Sequence, residues 1–372
     1  MTQLTLRQYS RELSETMYIS RGGFTTRTHN FIVFYDNKKE YISEVIGDRV
    51  LIKNCMMQLF EYLKTFPSLS VGELLTYVHK WERSFVYLEH CSSIRAITNA
   101  FDWLYLTYLS HMKGNSIFEM LKLEAPTRNH TRVYGSNIYW KETKDAFQKQ
   151  IDNFPFDKTR IIKAHLGRKC FKDEFEYYNV LAENKKITHF MIDYNCGYTM
   201  DEFRSLCSCL STNKEIMSKL LWLEEPTHPD HSTEWSQCLP EVDMAAGENH
   251  HGLIHQQNLI NNGVRWIMPD LGRTLSIFDF PKLLKYCLNT NSNISFHSYS
   301  SGFLAYISLL LSMSMPVDRT YYEHDFSSNA FLDKVIKDAI TISDGEAIID
   351  SSLLHDLKLE EDSTWAIKIY SY

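Results

Sequence analysis

Eight short apolar runs, each leading to a polar or charged residue, constrain the fold of this chain more than any other feature. They lead to Ser136, His165, Asp193, Glu224, Glu248, Asp270, His297 and Glu323. Phe190-Met191-Ile192-Asp193 and Leu220-Leu221-Trp222-Leu223-Glu224 are representative. A carboxylate at the end of a buried strand is costly unless something cationic meets it. Eight parallel strands with functional groups at their C-terminal ends predict a (β/α)8 barrel. A doubly wound sheet is the competing arrangement. The count of eight, and polar ends on nearly every run, favour the barrel.

Helical patterns of crossover length separate the runs. Thr199-Met200-Asp201-Glu202 reads as a capping box, with Phe203, Leu206, Cys207 and Leu210 following on one face. Asp173–Leu181, Leu253–Asn261, Phe280–Leu288 and Gly302–Ser314 fill other connections, as parallel strands require.

The 372 residues exceed a barrel of about 250. The division expected is an α+β capping domain over 1–125, a barrel over 126–345, and a C-terminal segment, 346–372, packing on the cap. Within the cap, Phe31–Tyr35 reads as a strand. Leu51, Met56, Leu59, Phe60 and Leu63 mark one helix face, and Ala96–Leu109 a second helix. Ser20–His29 has two glycines, Arg21 and Arg27 but neither period, and is expected to be a mobile loop. Its arginines suit carboxylate recognition.

Hydrophobic content of 44% supplies an ample core, and no stretch approaches the roughly 20 apolar residues of a membrane span. A net charge of −7 argues against nucleic acid as a main partner. No secretory pattern opens the chain, so a cytoplasmic location is expected. The eight cysteines include no Cys-x-x-Cys pair and are expected to be reduced thiols.

Asp193, Glu224 and Glu248 end three consecutive runs and would deliver oxygen ligands to one point, which suits Mg²⁺ rather than zinc. Lys163 and His165 are one residue apart, so on a strand both point the same way. Glu225 alternates to the side opposite Glu224 and is expected to meet other cations.

The order of these motifs resembles the enolase superfamily, and within it the mandelate racemase-like subgroup of acid-sugar dehydratase type. Asp193-Tyr194-Asn195 is similar to that subgroup's Asp-x-Asn. Trp222-Leu223-Glu224-Glu225-Pro226-Thr227 is similar to its Glu-Glu-Pro motif, and Gly247-Glu248-Asn249 to its Gly-Glu-Asn. Pro269-Asp270, His297 and Glu323 fall where the family places an Asp–His dyad and a following glutamate. The resemblance spans roughly residues 130 to 325; before that only position and texture agree. One departure stands out. The family's Lys-x-Lys, whose second lysine is the base, is here Lys163-Ala164-His165.

The resemblance implies a modified, (β/α)7β-like barrel with an N-terminal cap, and one Mg²⁺ per active site on Asp193, Glu224 and Glu248. The family reaction begins by removing the proton next to a carboxylate, giving a metal-stabilised enediolate. Asp270 would fix the tautomer of His297 and raise its basicity. His165 would be the base on the other side, needing little tuning from a value near 6.5. Lys163 would stay charged and pair with the substrate carboxylate. Ser136, Asn195, Arg21 and Arg27 are expected substrate contacts, and Glu323 a further one that could donate to the enediolate when protonated. The first expectation is dehydration of a sugar mono- or diacid to a 2-keto-3-deoxy acid. A racemase or epimerase is the alternative, and a non-catalytic sugar-acid binder a third reading. Expected partners are the small-molecule sugar acid and copies of the chain in a homo-oligomer, with no nucleic acid or membrane.

Overall fold

The computed structural model describes residues 3–36, 39–66, 69–85, 92–327, 339–350 and 366–371. β1 (Gln3–Ile19) and β2 (Gly22–Asp36) form a long antiparallel hairpin, and β3 (Lys39–Val45) pairs with β2. The segment Ser20–His29 is therefore not a mobile loop. Only Ser20 and Arg21 turn; from Gly22 onward the strand runs along β1, Gly22 standing opposite Ile19 and His29 opposite Tyr9, with one register shift at Thr25.

α1 (Arg49–Leu63), α2 (Val71–Arg83), α3 (Ser92–Lys113) and the short α4 (Ile117–Met120) follow. Asp48 caps α1 through Oδ1, and Ser70 with Glu73 forms a reciprocal capping box on α2. Met56, Leu59, Phe60 and Leu63 are buried as their spacing predicts, but Leu51 is exposed and Ile52 takes its place inside. These side chains pack with Phe34, Ile97, Phe101 and Leu104 in a core of the cap's own.

The barrel strands and their helices then alternate. β4 (His130–Ile138), α5 (Lys144–Asp152), β5 (Ile161–His165), α6 (Phe171–Glu183) and β6 (His189–Asp193) open the series. α7 (Met200–Ser211), α8 (Lys214–Lys219), β7 (Leu220–Glu224), α9 (Trp235–Cys238) and β8 (Asp243–Ala246) continue it. α10 (Leu253–Asn261), β9 (Trp266–Ile267), α11 (Phe280–Thr290), β10 (Asn293–Ile294), α12 (Gly302–Ser312) and β11 (Tyr322–His324) complete it. Neighbours pair in parallel from β4 to β10. Thr320 then bridges to Ile294 while β11 pairs in parallel with β4, which closes the barrel. The hairpin β12 (Ile340–Ser343) and β13 (Glu346–Ile349) lies antiparallel against the start of β4, and β14 (Ala366–Ser371) pairs with β1 in the cap sheet.

Alternation along the strands sorts the side chains. Ile162, Phe190, Ile192 and Leu223 belong to the large core shared with the helices, whereas Tyr134, Met191, Trp222 and Trp266 fill the barrel interior. Trp222 lies 4.7 Å from Trp266 and 5.7 Å from Tyr134 between ring centroids. Two residues further along the same strand faces come Ser136, Asp193 and Glu224, so the polar groups rest on an aromatic floor. Among the described residues no helix is long and apolar enough to cross a membrane, and the seven described cysteines are all free.

Asp102 on α3 ties cap to barrel. It is buried, and its carboxylate accepts from Ser276 Oγ at 2.5 Å and lies 2.9 Å from His79 Nε2 on α2. Hydrogen bonds to Asp102 and Glu82 raise the His79 pKa to about 9, against the opposing effect of burial. A raised folded pKa means that this pairing contributes fully below about pH 6.5 and is lost as pH climbs through 9. His79→Gln is expected to lower Tm by roughly 2 °C at pH 6, with no difference from the parent near pH 10. Thermal melts across that range check this; a gap independent of pH would mean the loss was one of packing.

Candidate functional site

Register brings the site together. His165 stands opposite Asp193 and Asp193 opposite Glu224 on three adjacent strands, so their side chains crowd one end of the barrel. Glu248 arrives differently, one residue beyond Gly247. That glycine has φ +149°, and a Cβ on it would lie 2.7 Å from the Met268 carbonyl carbon, so only glycine lets the chain pass β9 there. Asp193, Glu224 and Glu248 are all buried.

Lys163 sits among the carboxylates. Its Nζ lies 2.8 Å from Glu323 Oε1, 3.0 Å from Glu224 Oε1 and 3.8 Å from Asp193 Oδ2. Burial alone would lower the lysine pKa, but Glu224, Glu323 and Asp193 more than offset it and hold it well above the ordinary value. Lys163 is thus a fixed cation, and its partners here are protein carboxylates. For Asp193 too, burial opposes ionisation, but His165 and Lys163 prevail and bring its pKa down. Glu224 goes the other way. Burial raises its pKa well above the usual range, and Lys163 does not undo this against Asp193, Glu323 and Glu248. Glu323 Oε2 accepts from Ser298 N at 2.8 Å while Oε1 meets Lys163, so as placed it presents acceptors rather than a donor proton.

His297 bridges two carboxylates. Nδ1 lies 3.0 Å from Asp270 Oδ2, and Nε2 lies 2.8 Å from Glu248 Oε2. Burial disfavours the imidazolium, yet Glu248 and Asp270 outweigh it and raise the His297 pKa well above normal. Glu248 responds in the opposite sense: burial would raise its pKa, but His297, Arg273 and Arg21 hold it well below. Arg273 Nη2 lies 3.3 Å from Glu248 Oε2, and Arg21 Nη2, on the hairpin tip, lies 3.9 Å from Oε1.

His165 lies on the other flank. Nδ1 is 3.3 Å from both Asp193 Oδ2 and Asn195 Oδ1, and Nε2 is 3.1 Å from the carbonyl oxygen of Ser136. Both ring nitrogens face acceptors, so as placed either can donate, and base duty requires one of them to be released. Tyr139 stacks on the ring at 4.8 Å with an 8° interplanar angle. Asn195 donates to Asp193 twice, from its backbone N to Oδ1 at 2.8 Å and from Nδ2 to Oδ2 at 2.9 Å. Ser136 contributes its carbonyl, not its hydroxyl, to the histidine.

The remaining expected groups divide. Arg21 is half-exposed and comes within 3.9 Å of one carboxylate, that of Glu248. Arg27 is fully buried: it pairs with Asp325 at 2.7 Å, donates to Ser300 O at 3.3 Å, and lies 4.2 Å from the Tyr299 ring centroid. Its charge is spent joining cap to barrel. Glu225 accepts from Gly247 N at 3.0 Å and lies 3.7 Å from His250 Nδ1, a partner that is cationic only when protonated. Tyr139 and Arg273 went unread in the sequence because no motif or period marks them. A cavity of about 1000 Å³ is lined by Arg95, Asn249, His250 and His251 among others, and Lys163, Asp193 and Glu224 are not part of its wall.

Asp193, Glu224 and Glu248 offer carboxylate oxygens, the donor type that suits a hard divalent cation. Burial first, and then the neighbouring Asp193, Glu323 and Glu248 carboxylates, raise the Glu224 pKa, and a bound cation would offset both. As placed, each carboxylate faces a cation of the chain. Among the described residues no three carboxylates, imidazoles or thiols are already gathered as a coordination set.

Residues 146–352 match the family described as Enolase C-terminal domain-like. Among solved structures, the L-talarate/galactarate dehydratase from Salmonella typhimurium LT2 is 15% identical, with a TM-score of 0.77 over 100% of this chain and 92% of that one. The L-talarate dehydratase from Polaromonas sp. JS666, complexed with Mg and L-glucarate, is 15% identical, with a TM-score of 0.75 over 100% and 98%. A racemase from Streptomyces coelicolor A3(2) with bound magnesium is 18% identical, with a TM-score of 0.70 over 96% of each chain. These likenesses concern the fold. No curated protein sequence matches the chain.

The opposite shifts of two carboxylates separate their stabilities in metal-free protein. Glu224 is ionised at a cost, so Glu224→Gln should keep or raise Tm at pH 7.5 in chelator. Glu248 has a depressed pKa, so its ionised form contributes stability that is lost only as pH falls through that value. Glu248→Gln should therefore lower Tm under the same conditions. Equal losses in the two variants would contradict this charge distribution.

Proposed function

We propose, from the premise that the chain belongs to the Enolase C-terminal domain-like family, that it is a Mg²⁺-dependent dehydratase of acid sugars. Asp193, Glu224 and Glu248 would hold the single cation. When bound, it supplies positive charge beside the substrate carboxylate and so eases loss of the neighbouring proton. The observation that carries the reading is the pair of imidazoles flanking the carboxylates, His165 against Asp193 and His297 against Glu248.

In this reading His165 takes the α proton once one of its nitrogens leaves its acceptor, with the Tyr139 stack keeping the ring plane fixed. His297, held as an imidazolium by Asp270 and Glu248, gives its proton to the departing hydroxyl, so the C–O bond breaks and water leaves. The enol that remains becomes a 2-keto-3-deoxy acid. Lys163 stays charged throughout and fixes Glu224 and Glu323. Asn195 and Ser136 line the His165 side. Arg21 is suited to a second carboxylate at the far end of a diacid, while Arg27 supports the wall from behind.

The same two imidazoles support a second reading, racemisation or epimerisation of a 2-hydroxy acid, with one removing and the other returning a proton. A screen of sugar mono- and diacids with Mg²⁺ separates the two. Formation of 2-keto acid supports dehydration, inversion without it supports epimerisation, and no turnover of any acid would leave a binding protein. With the substrate in hand, His297→Asn should cost about 100-fold or more in 2-keto-acid formation. His165→Ala should lose α-proton exchange in D₂O; exchange at the parental rate would assign the base elsewhere.

A further inference from the structure

The turn from Asp270 to Thr274 joins the cap to both halves of the site. Asp270 holds His297 through Oδ2, while its Oδ1 accepts from Gly272 N at 2.8 Å. Gly272 O in turn accepts from Ile46 N of the cap at 3.2 Å. A Cβ on Gly272 would lie 2.6 Å from Ile46 Cγ1 and 2.5 Å from Leu304 Cδ1, so a side chain here would push on the seated cap. Arg273 follows. Its Nη2 donates to the Glu248 carbonyl oxygen at 2.6 Å and to Glu248 Oε2 at 3.3 Å. Its own carbonyl accepts at 3.2 Å from Nδ2 of Asn99, a buried residue of α3 in the cap.

We propose that Arg273 is a positioning residue for Glu248, and that Asn99 makes that placement depend on cap docking. The proposal rests on Glu248 being a Mg²⁺ ligand. A guanidinium beside a ligand carboxylate has two possible effects of opposite sign. As a bare charge it repels the incoming cation, and its removal tightens binding. As a clamp it presets the ligand, and its removal loosens binding; groups that orient metal ligands are typically worth 10–100-fold in affinity. Arg273 grips the main chain and the carboxylate of the same residue, which is the geometry of a clamp. The grip on Arg273 itself comes from the cap, so ligand placement and cap docking are one event.

Mg²⁺ titration calorimetry on the full chain tests this without any substrate, with thermal melts to verify folding. Arg273→Ala is expected to weaken Kd by about 10-fold, and Arg273→Lys by less. Asn99→Ala, which touches no proposed ligand, should weaken it by about 3-fold, a share of one hydrogen bond. Unchanged or tighter binding by Arg273→Ala would overturn the clamp, and a parental Kd in Asn99→Ala would overturn the cap linkage. Should Arg273→Ala not fold, Arg273→Lys and Asn99→Ala still decide. A parent that binds no Mg²⁺ would overturn the metal assignment and this proposal together, whereas a binding parent with indifferent variants overturns the proposal alone.

Discussion

A lysine ammonium sealed inside a barrel needs negative charge around it, and the placement of Lys163 among Glu224, Glu323 and Asp193 sets the terms for everything nearby. One cation cannot neutralise three buried carboxylates. The surplus falls on Glu224, whose ionisation is disfavoured, while Asp193 and Glu248 find relief in His165 and His297. Beneath them lies the aromatic layer of Tyr134, Trp222 and Trp266, which offers little dielectric screening and leaves these charges to be settled by near neighbours. The barrel contributes the low-polarity floor, and the strand ends contribute the charge.

The cap takes part in the same electrostatic arrangement. Glu44 on β3 is buried and accepts from Ser301 N and Oγ, at 3.0 and 2.7 Å, at the very start of α12. Arg27 on β2 reaches Asp325 just past β11. Both contacts are polar groups withdrawn from water, and each would be costly if the two parts separated without solvent entering. Docking is therefore specific in register, which suits a seam that runs beside the candidate site.

Much of the site was legible because strand alternation is strict. Asp193 and Glu224 ended apolar runs, and residues two apart on one strand must share a face, so the pairing of Lys163 with His165 followed from spacing alone. The dyad of Asp270 and His297 was legible by resemblance. What escaped were contacts between distant segments: Tyr139 over His165, Arg273 on Glu248 and Asn99 on Arg273 have no periodic or motif signal. Ser20–His29 misled for a related reason. Its glycines and arginines suggest a loop, but a β-strand is stabilised by its partner, and β1 supplies one along most of the segment from Gly22 on, with a register shift at Thr25. Leu51 was misplaced by a single residue of helix rotation, since Ile52 beside it is equally apolar.

The pairing of β14 with β1 bears on how such a chain comes to be folded. Thr5 stands opposite Ser371 and Ser10 opposite Ala366, so one edge of the cap sheet is supplied by residues that are synthesised only after the whole barrel. Until then β1 presents an open row of backbone donors and acceptors, a hazard for association with other chains. The barrel lies wholly between these two strands in the sequence, and its closure shortens the loop that their pairing must complete. Assembly order is thereby written into the topology: the barrel can form while the sheet that covers it is still one strand short.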